Sequence, residues 1–242
     1  MLQNPSQTTE QAMNRPNTSA DEAPLSPYHD FRAGASWRIF RIMAEFIEGF
    51  EFLAGTKREV SIFGSARVQA NHQYYQQAQK LGFLLGKAGY TIITGGGPGI
   101  MEAANRGASE AGAPSLGLNI QLPNEQRINP YVTRGKGFYY FFTRKVMLSV
   151  AAQAYVFFPG GFGTIDEMTE LIVLVQTKKM LPYPMIVVGK DYWNGYFAWI
   201  KKMALDENSF IGPDDLGIVT IVDSAEEAFA IIEKSKDREM FQ

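Results

Sequence analysis

From Gly55 onward the chain alternates short apolar runs with longer amphipathic ones, and few folds accept that pattern. The runs Val60–Phe63, Tyr90–Thr94, Ser115–Ile120, Ala154–Phe158, Met185–Val188 and Ile218–Val222 read as strands. Between them, apolar spacing predicts helices over 74–88, 100–111, 144–152, 165–178 and 192–205, with a last one near 225–234. Strands that are apolar on both sides and separated by helices join through right-handed crossovers. The result is one parallel sheet covered on both faces. The expected fold is α/β: a single Rossmann-like doubly wound parallel sheet with an added N-terminal helix, binding ligands at the carboxyl ends of its strands.

Domain organisation follows composition. Residues 1–33 are rich in Gln, Asn, Ser, Thr and Pro and read as a disordered tail. Residues 34–55 read as an amphipathic helix with Ser36 as its N-cap, and 56–242 as the nucleotide-binding catalytic domain. The helix is unusually aromatic, with Trp37, Phe40, Phe46, Phe50 and Phe52 on more than one face. It either packs on the sheet or also joins a subunit interface, so a homodimer or higher homo-oligomer is expected.

Charge and cysteine content exclude other classes. With 242 residues and a net charge of -2, the chain has no global positive field to draw nucleic acid or anionic lipid. Zero cysteines exclude disulfides and thiolate metal sites, and two histidines, His29 and His72, offer neither a metal site nor a Ser-His triad. No apolar run reaches spanning length and the N-terminus has no signal-peptide pattern, so a cytoplasmic protein is expected.

Three glycine turns carry the candidate chemistry. Phe63-Gly64-Ser65-Ala66-Arg67 closes the first strand; Gly64 permits a tight turn, while Ser65 and Arg67 could meet an anion or a base edge. An ordinary turn with a solvated Arg67 explains it equally well. Thr94-Gly95-Gly96-Gly97-Pro98-Gly99 follows the second strand, and its glycines mean close backbone approach to a ligand or a neighbouring loop. It does not match G-x-G-x-x-G, which argues against a dinucleotide, and neither loop ends as a nucleoside-triphosphate P-loop does.

The third turn, Pro159-Gly160-Gly161-Phe162-Gly163-Thr164-Ile165-Asp166-Glu167, joins a buried strand to a helix. Backbone amides at such a helix start hold phosphate. Carboxylates beside a phosphate would repel it, unless they act elsewhere on the ligand or merely complement the helix dipole. Arg144-Lys145, also placed near a helix start, opposes the macrodipole and calls for a compensating phosphate, carboxylate or both, unless it is simply a solvated basic pair. Glu125, in the loop Leu122–Gln126, could accept from ribose hydroxyls or could simply be an exposed loop acid.

Together, Gly95–Asn105, Leu122–Gln126, Arg144-Lys145 and Pro159–Glu167 resemble the Lonely Guy (LOG) family of nucleoside 5′-monophosphate phosphoribohydrolases, over Glu59 to Ile232. That family includes cytokinin-activating enzymes and bacterial relatives acting on AMP. The extra N-terminal helix and the Phe63–Arg67 turn look like its longer bacterial subgroup. An older label, lysine decarboxylase-like, implies a pyridoxal-phosphate site for which no sequence feature argues.

The resemblance implies Arg144 and Glu167 as the catalytic pair. It implies nucleotide contacts from Lys145, Glu125 and the Gly160, Gly161, Gly163 and Thr164 loop. Gly64, Ser65, Arg67, Gly95, Gly96, Gly97 and Asp166 complete the candidate set. Phe162 and Asp166 stand where many members have Tyr and Glu, and the likeness to the longer bacterial subgroup leaves the preferred base open, because the motifs do not map a prenyl pocket. The implied reaction splits a purine nucleoside 5′-monophosphate into free base and ribose 5-phosphate with no metal or cofactor. The rival is a non-catalytic nucleotide- or cofactor-binding module of the molybdenum-cofactor carrier-like type.

Overall fold

The computed structural model describes residues 35–121 and 128–236. The expected tail 1–33 and Glu125 lie outside them. The chain divides into compact units Met1–Arg41 and Ile42–Gln242, and the second contains every strand.

Seven strands form one sheet: β1 (Glu59–Phe63), β2 (Thr91–Thr94), β3 (Ser115–Ile120), β4 (Arg134–Phe138), β5 (Ala154–Phe157), β6 (Met185–Val188) and β7 (Val219–Val222). Their order is β4-β3-β2-β1-β5-β6-β7, and every pairing is parallel. The helices are α1 (Ala35–Leu53), α2 (Gln73–Lys87), α3 (Ile100–Glu110), α4 (Phe141–Val150), α5 (Phe162–Gln176), α6 (Lys190–Ile200) and α7 (Ala225–Glu233). This is the Rossmann-like α/β arrangement expected from the alternation. The chain works outward from β1 to β4 and then returns to lay β5 beside β1. That reversal opens a crevice at the carboxyl ends of β1 and β5.

Period-two alternation sends side chains into two cores. Val60, Ile62, Ile92, Val156 and Ile186 pack with α2, α3 and α7. Phe63, Ile93, Tyr155, Phe157 and Val187 pack on the other face with α4, α5 and α6. Phe63 and Phe157 stack across the β1–β5 pair at 4.9 Å between ring centroids. Strands β1, β2, β5 and β6 are therefore apolar on both sides, which is why they are visible in sequence.

Helices α2 and α3 meet backbone to backbone. A Cβ on Gly107 would overlap the Gln79 carbonyl oxygen and come within 2.7 Å of the Phe83 amide nitrogen. Gly107→Ala is accordingly expected to destabilise the fold by about 2–3 kcal/mol, by overpacking a contact made of backbone on both sides. Urea unfolding measures this directly, and an unchanged midpoint would mean that the two helices separate freely.

Several elements differ from expectation. Strand β4 was not anticipated, because Arg134-Gly135-Lys136-Gly137-Phe138 lacks an apolar run. It is an edge strand with an exposed start, and α1 holds it: Arg134 Nη2 donates to the Phe52 carbonyl at 2.7 Å and Lys136 pairs with Glu48. Helices α4 and α5 each begin three residues earlier than the apolar spacing predicts. Helix α1 begins at Ala35, which puts Ser36 inside the helix rather than at its cap. The helix expected over 192–205 is α6 followed by a π-helical turn, Lys201–Asp206.

Candidate active site

Three βα turns converge on the crevice, and backbone hydrogen bonds tie them together. The Ser65 amide donates to the Pro159 carbonyl at 3.1 Å, and the Ile100 amide donates to the Ser65 carbonyl at 3.1 Å. Ser65 thus joins all three turns through its main chain, while its hydroxyl accepts from the Arg67 amide at 3.1 Å. The Arg67 side chain is exposed. Gly64 lies against Ile100, where a Cβ would stand 2.8 Å from the Ile100 Cβ.

The Thr94–Gly97 turn is fixed from within. The Gly95 carbonyl accepts from Asn119 Nδ2 at 3.3 Å, the Gly96 carbonyl from the Asn129 amide at 2.8 Å, and the Gly97 carbonyl from Asn129 Nδ2 at 3.0 Å. Asn105 holds the assembly: its Oδ1 accepts from Thr94 Oγ1 at 2.6 Å and from Asn129 Nδ2 at 2.9 Å. With three carbonyls occupied, their negative ends are turned away from an incoming anion. Sequence reading singled out the glycines but not these asparagines. A usable signal existed for Asn105, a polar residue among Ala103, Ala104 and Ala108 on the buried side of α3.

Gly95 answers the question its sequence left open. A Cβ there would overlap Arg144 Nη2 and come within 2.8 Å of Met101 Sδ, so the close neighbour is the Arg144 side chain. Arg144 sits in the first turn of α4, and its Nε donates to the Leu118 carbonyl at the end of β3, at 2.7 Å. Burial holds its pKa below the ordinary guanidinium value, an effect that Glu167 opposes. It remains a cation at neutral pH.

Helix α5 starts at Phe162, capped by Gly161 without a side-chain hydrogen bond. Added Cβ atoms at Gly161 and Gly163 would meet nothing, so neither glycine is demanded by its own neighbours. The amides of Phe162 and Gly163 head the helix, where no intrahelical acceptor exists. Thr164 is buried and folds back onto Gly160. Phe162 stands 92% exposed at the rim. The Gly160 carbonyl accepts from the Tyr192 hydroxyl of α6, a contact the sequence did not suggest.

Glu167 lies one turn inside this helix and is only 8% exposed. Burial raises its pKa to about 7, with Arg144 and Lys145 pulling down and Glu170 and Asp166 pushing up. Lys145 bridges acids: its Nζ donates to Asp166 Oδ2 at 2.7 Å and lies 2.7 Å from Glu170 Oε2. Burial lowers the Lys145 pKa, but those two carboxylates outweigh it and leave the group raised. Asp166 and Lys145, both expected at the nucleotide, are thus partners of each other. Asp166 and Glu170 offset Lys145, and a further acid, Glu45 of α1, lies at the same helix start. Its carboxylate accepts from the Tyr139 amide at 2.8 Å and from Thr143 Oγ1 at 2.6 Å.

Two cavities lie beside this arrangement. One of about 220 Å³ opens at the carboxyl ends of β6 and β7, between Gly189, Asp223 and Tyr74. An apolar groove of about 880 Å³ runs between α4, α5 and residues 179–184 toward Pro184 and the start of β6. It borders the site only at Glu170.

A family model described as possible lysine decarboxylase matches residues 101–232, more than half of the chain. The chain belongs to that family, the LOG family. A probable cytokinin riboside 5′-monophosphate phosphoribohydrolase of Oryza sativa subsp. japonica is 25% identical over 181 residues, 73% of this chain and 72% of its own. A cytokinin riboside 5′-monophosphate phosphoribohydrolase of Arabidopsis thaliana is 23% identical over 192 residues, 78% and 87% of the two chains. The molybdenum cofactor binding protein of the phototrophic bacterium Rippkaea orientalis superposes with a TM-score of 0.58 at 19% identity, over 74% of this chain and 98% of that one. At that identity the likeness concerns the fold alone. A decarboxylase of the kind the family description names needs a free lysine amine for pyridoxal phosphate. Lys145 and Lys190, at this end of the sheet, are both engaged with carboxylates. The residues present do not fit that group.

Proposed function

We propose that the protein hydrolyses the N-glycosidic bond of a purine nucleoside 5′-monophosphate, with AMP or a cytokinin riboside monophosphate as substrate. The observation that carries this reading is Glu167: a buried carboxyl with a pKa of about 7, beside Arg144 and one turn below an open helix start. The LOG relatives named for this activity support it. The Phe162 and Gly163 amides would receive the 5′-phosphate. Splitting the base–ribose bond develops positive charge on the sugar, which ionised Glu167 would stabilise while taking a proton from the attacking water. Water oxygen bonds to the anomeric carbon, the bonding pair leaves with the base, and a proton returns to the base nitrogen. Arg144 would balance negative charge on the departing base or the phosphate. Assembly into at least a dimer belongs to the same reading, supported by the exposed apolar side chains Met43, Ile47 and Phe50 of α1.

Incubating the purified protein with AMP, isopentenyladenosine monophosphate, GMP and pyrimidine nucleotides, and following free base by chromatography, tests the activity and ranks the substrates. Release of adenine or prenylated adenine with ribose 5-phosphate is expected. Nucleotide that binds and stays intact would replace this reading with the carrier-like one.

A further inference from the structure

Glu45 is a buried acid, 8% exposed, on a helix that contributes no turn to the crevice. Its Oε1 accepts from the Tyr139 amide, and its Oε2 from the Tyr140 amide at 3.3 Å and the Thr143 hydroxyl. These donors are the residues leading into α4 and its first turn. Tyr140, at the N-cap, makes no side-chain capping bond of its own, and a carboxylate from α1 meets its amide, the one an N3 Glu or Gln would reach in a capping box.

The same stretch of α1 fixes α4 at a second point. Gly49, one turn beyond Glu45, has Met147 packed on it, with Cγ 2.8 Å from where a Cβ would be. Glu45 therefore helps set where α4 begins, and Gly49 how closely the next turn approaches. Arg144 lies between these two contacts and must reach both the Leu118 carbonyl and the surface of Gly95.

We propose that Glu45 is a positioning residue for Arg144: by holding the residues that enter α4 and the Thr143 side chain from α1, it places the guanidinium at the crevice. This rests on the reading of Arg144 as part of a hydrolytic site. A local Ser or Asp cap would meet the N2 or N3 amide instead, and it would not link the start of α4 to α1. The structure thereby gives the N-terminal helix a task in the site without a contact to the substrate.

The full-length chain tests this through Glu45→Ala, Glu45→Asp, Glu45→Gln and the control Glu48→Ala, which removes only the Lys136 partner. Glu45→Ala is expected to lower kcat for AMP roughly ten- to hundredfold with KM within about twofold, the signature of misplaced chemistry rather than lost binding. Hydrogen exchange over 139–147 speeds up in the same variant. Glu45→Gln keeps one acceptor oxygen but turns its NH2 toward a donor at the other, so its kcat is expected between those of Glu45→Ala and the parent, while Glu48→Ala matches the parent. If Glu45→Ala does not fold, Glu45→Asp decides, because it keeps the charge but withdraws it by one methylene; about tenfold lower kcat is expected at an unchanged melting temperature.

Unchanged kcat in a folded Ala or Asp variant, or an equal loss in Glu48→Ala, overturns the proposal. If the parent protein releases no base from any nucleotide, the hydrolase reading fails, and labelling of Arg144 by phenylglyoxal still decides the positioning. Severalfold greater labelling in Glu45→Ala than in Glu48→Ala supports it, and equal labelling overturns it.

Discussion

Glu167→Gln is expected to lower turnover roughly 10²- to 10⁴-fold, the range for loss of a positioned acid–base group, and at the same time to stabilise the protein at pH 8. Both effects come from one fact. The carboxyl is buried, which lifts its pKa from 4.5 to about 7. Below about pH 4.5 the group is protonated whether the chain is folded or not, and the burial costs nothing extra. Between about 4.5 and 7 the folded chain keeps a proton that the unfolded chain has lost, so stability falls as pH rises. Above 7 the folded state carries the full penalty, about 3 kcal/mol at most for a shift of this size. Gln has no charge to desolvate and escapes it. Melting temperature is expected to rise by roughly 5–10 °C at pH 8 and hardly at all at pH 4. Activity of the parent enzyme rises with pH through about 7, because the ionised carboxylate does the work. Thermal scans at the two pH values and a pH–rate profile check the argument. A variant less stable at pH 8 would make Glu167 a structural acid, and full activity in it would remove Glu167 from the chemistry.

The parts of the fold legible in sequence were those decided by local burial. Strands β1, β2, β5 and β6 carry apolar side chains on both faces because helices cover both faces; β3 is apolar on one face and β7 except at its exposed Thr220, and all six stand out as short apolar runs. Strand β4 has no such signal. Its two glycines and two cations suit an edge strand whose support comes from Glu48 and Phe52, more than 80 residues earlier. Apolar spacing misplaces the start of α4 for the same reason, since the residues entering it are held by Glu45, 98 residues before Thr143.

The site divides along the same line. Glycine spacing revealed all three turns, because a backbone that must pass close to something needs glycine wherever it happens. Glycine does not say what it passes. Gly95 makes room for a side chain of its own protein, and Gly161 and Gly163 border open space. Charges were harder still. Lys145 and Asp166 were each read toward a nucleotide, yet they pair with each other at 2.7 Å. That pairing still shapes the site: with Lys145 held by Asp166 and Glu170, Arg144 is left as the cation packed on the glycine turn.

Arg144→Ala is expected to reduce kcat about 10²- to 10³-fold, as for removal of a group that stabilises developing charge in a desolvated site. Gly95→Ala is expected to reproduce at least a tenfold part of that loss although alanine brings no charge and removes none. Its Cβ would occupy the space of Arg144 Nη2, and the guanidinium cannot swing away without giving up the 2.7 Å bond from Nε to the Leu118 carbonyl. If Gly95 acts only through Arg144, the two losses cannot add. In the double variant the new methyl group meets no guanidinium, leaving Met101 as its remaining close neighbour, so kcat is expected within about twofold of Arg144→Ala alone. Stability reports the same coupling. Gly95→Ala destabilises by about 1–3 kcal/mol through overpacking, and part of that returns when Arg144 is also truncated. Multiplicative losses in kcat would show instead that Gly95 meets the substrate directly, with Arg144 merely passing beside it.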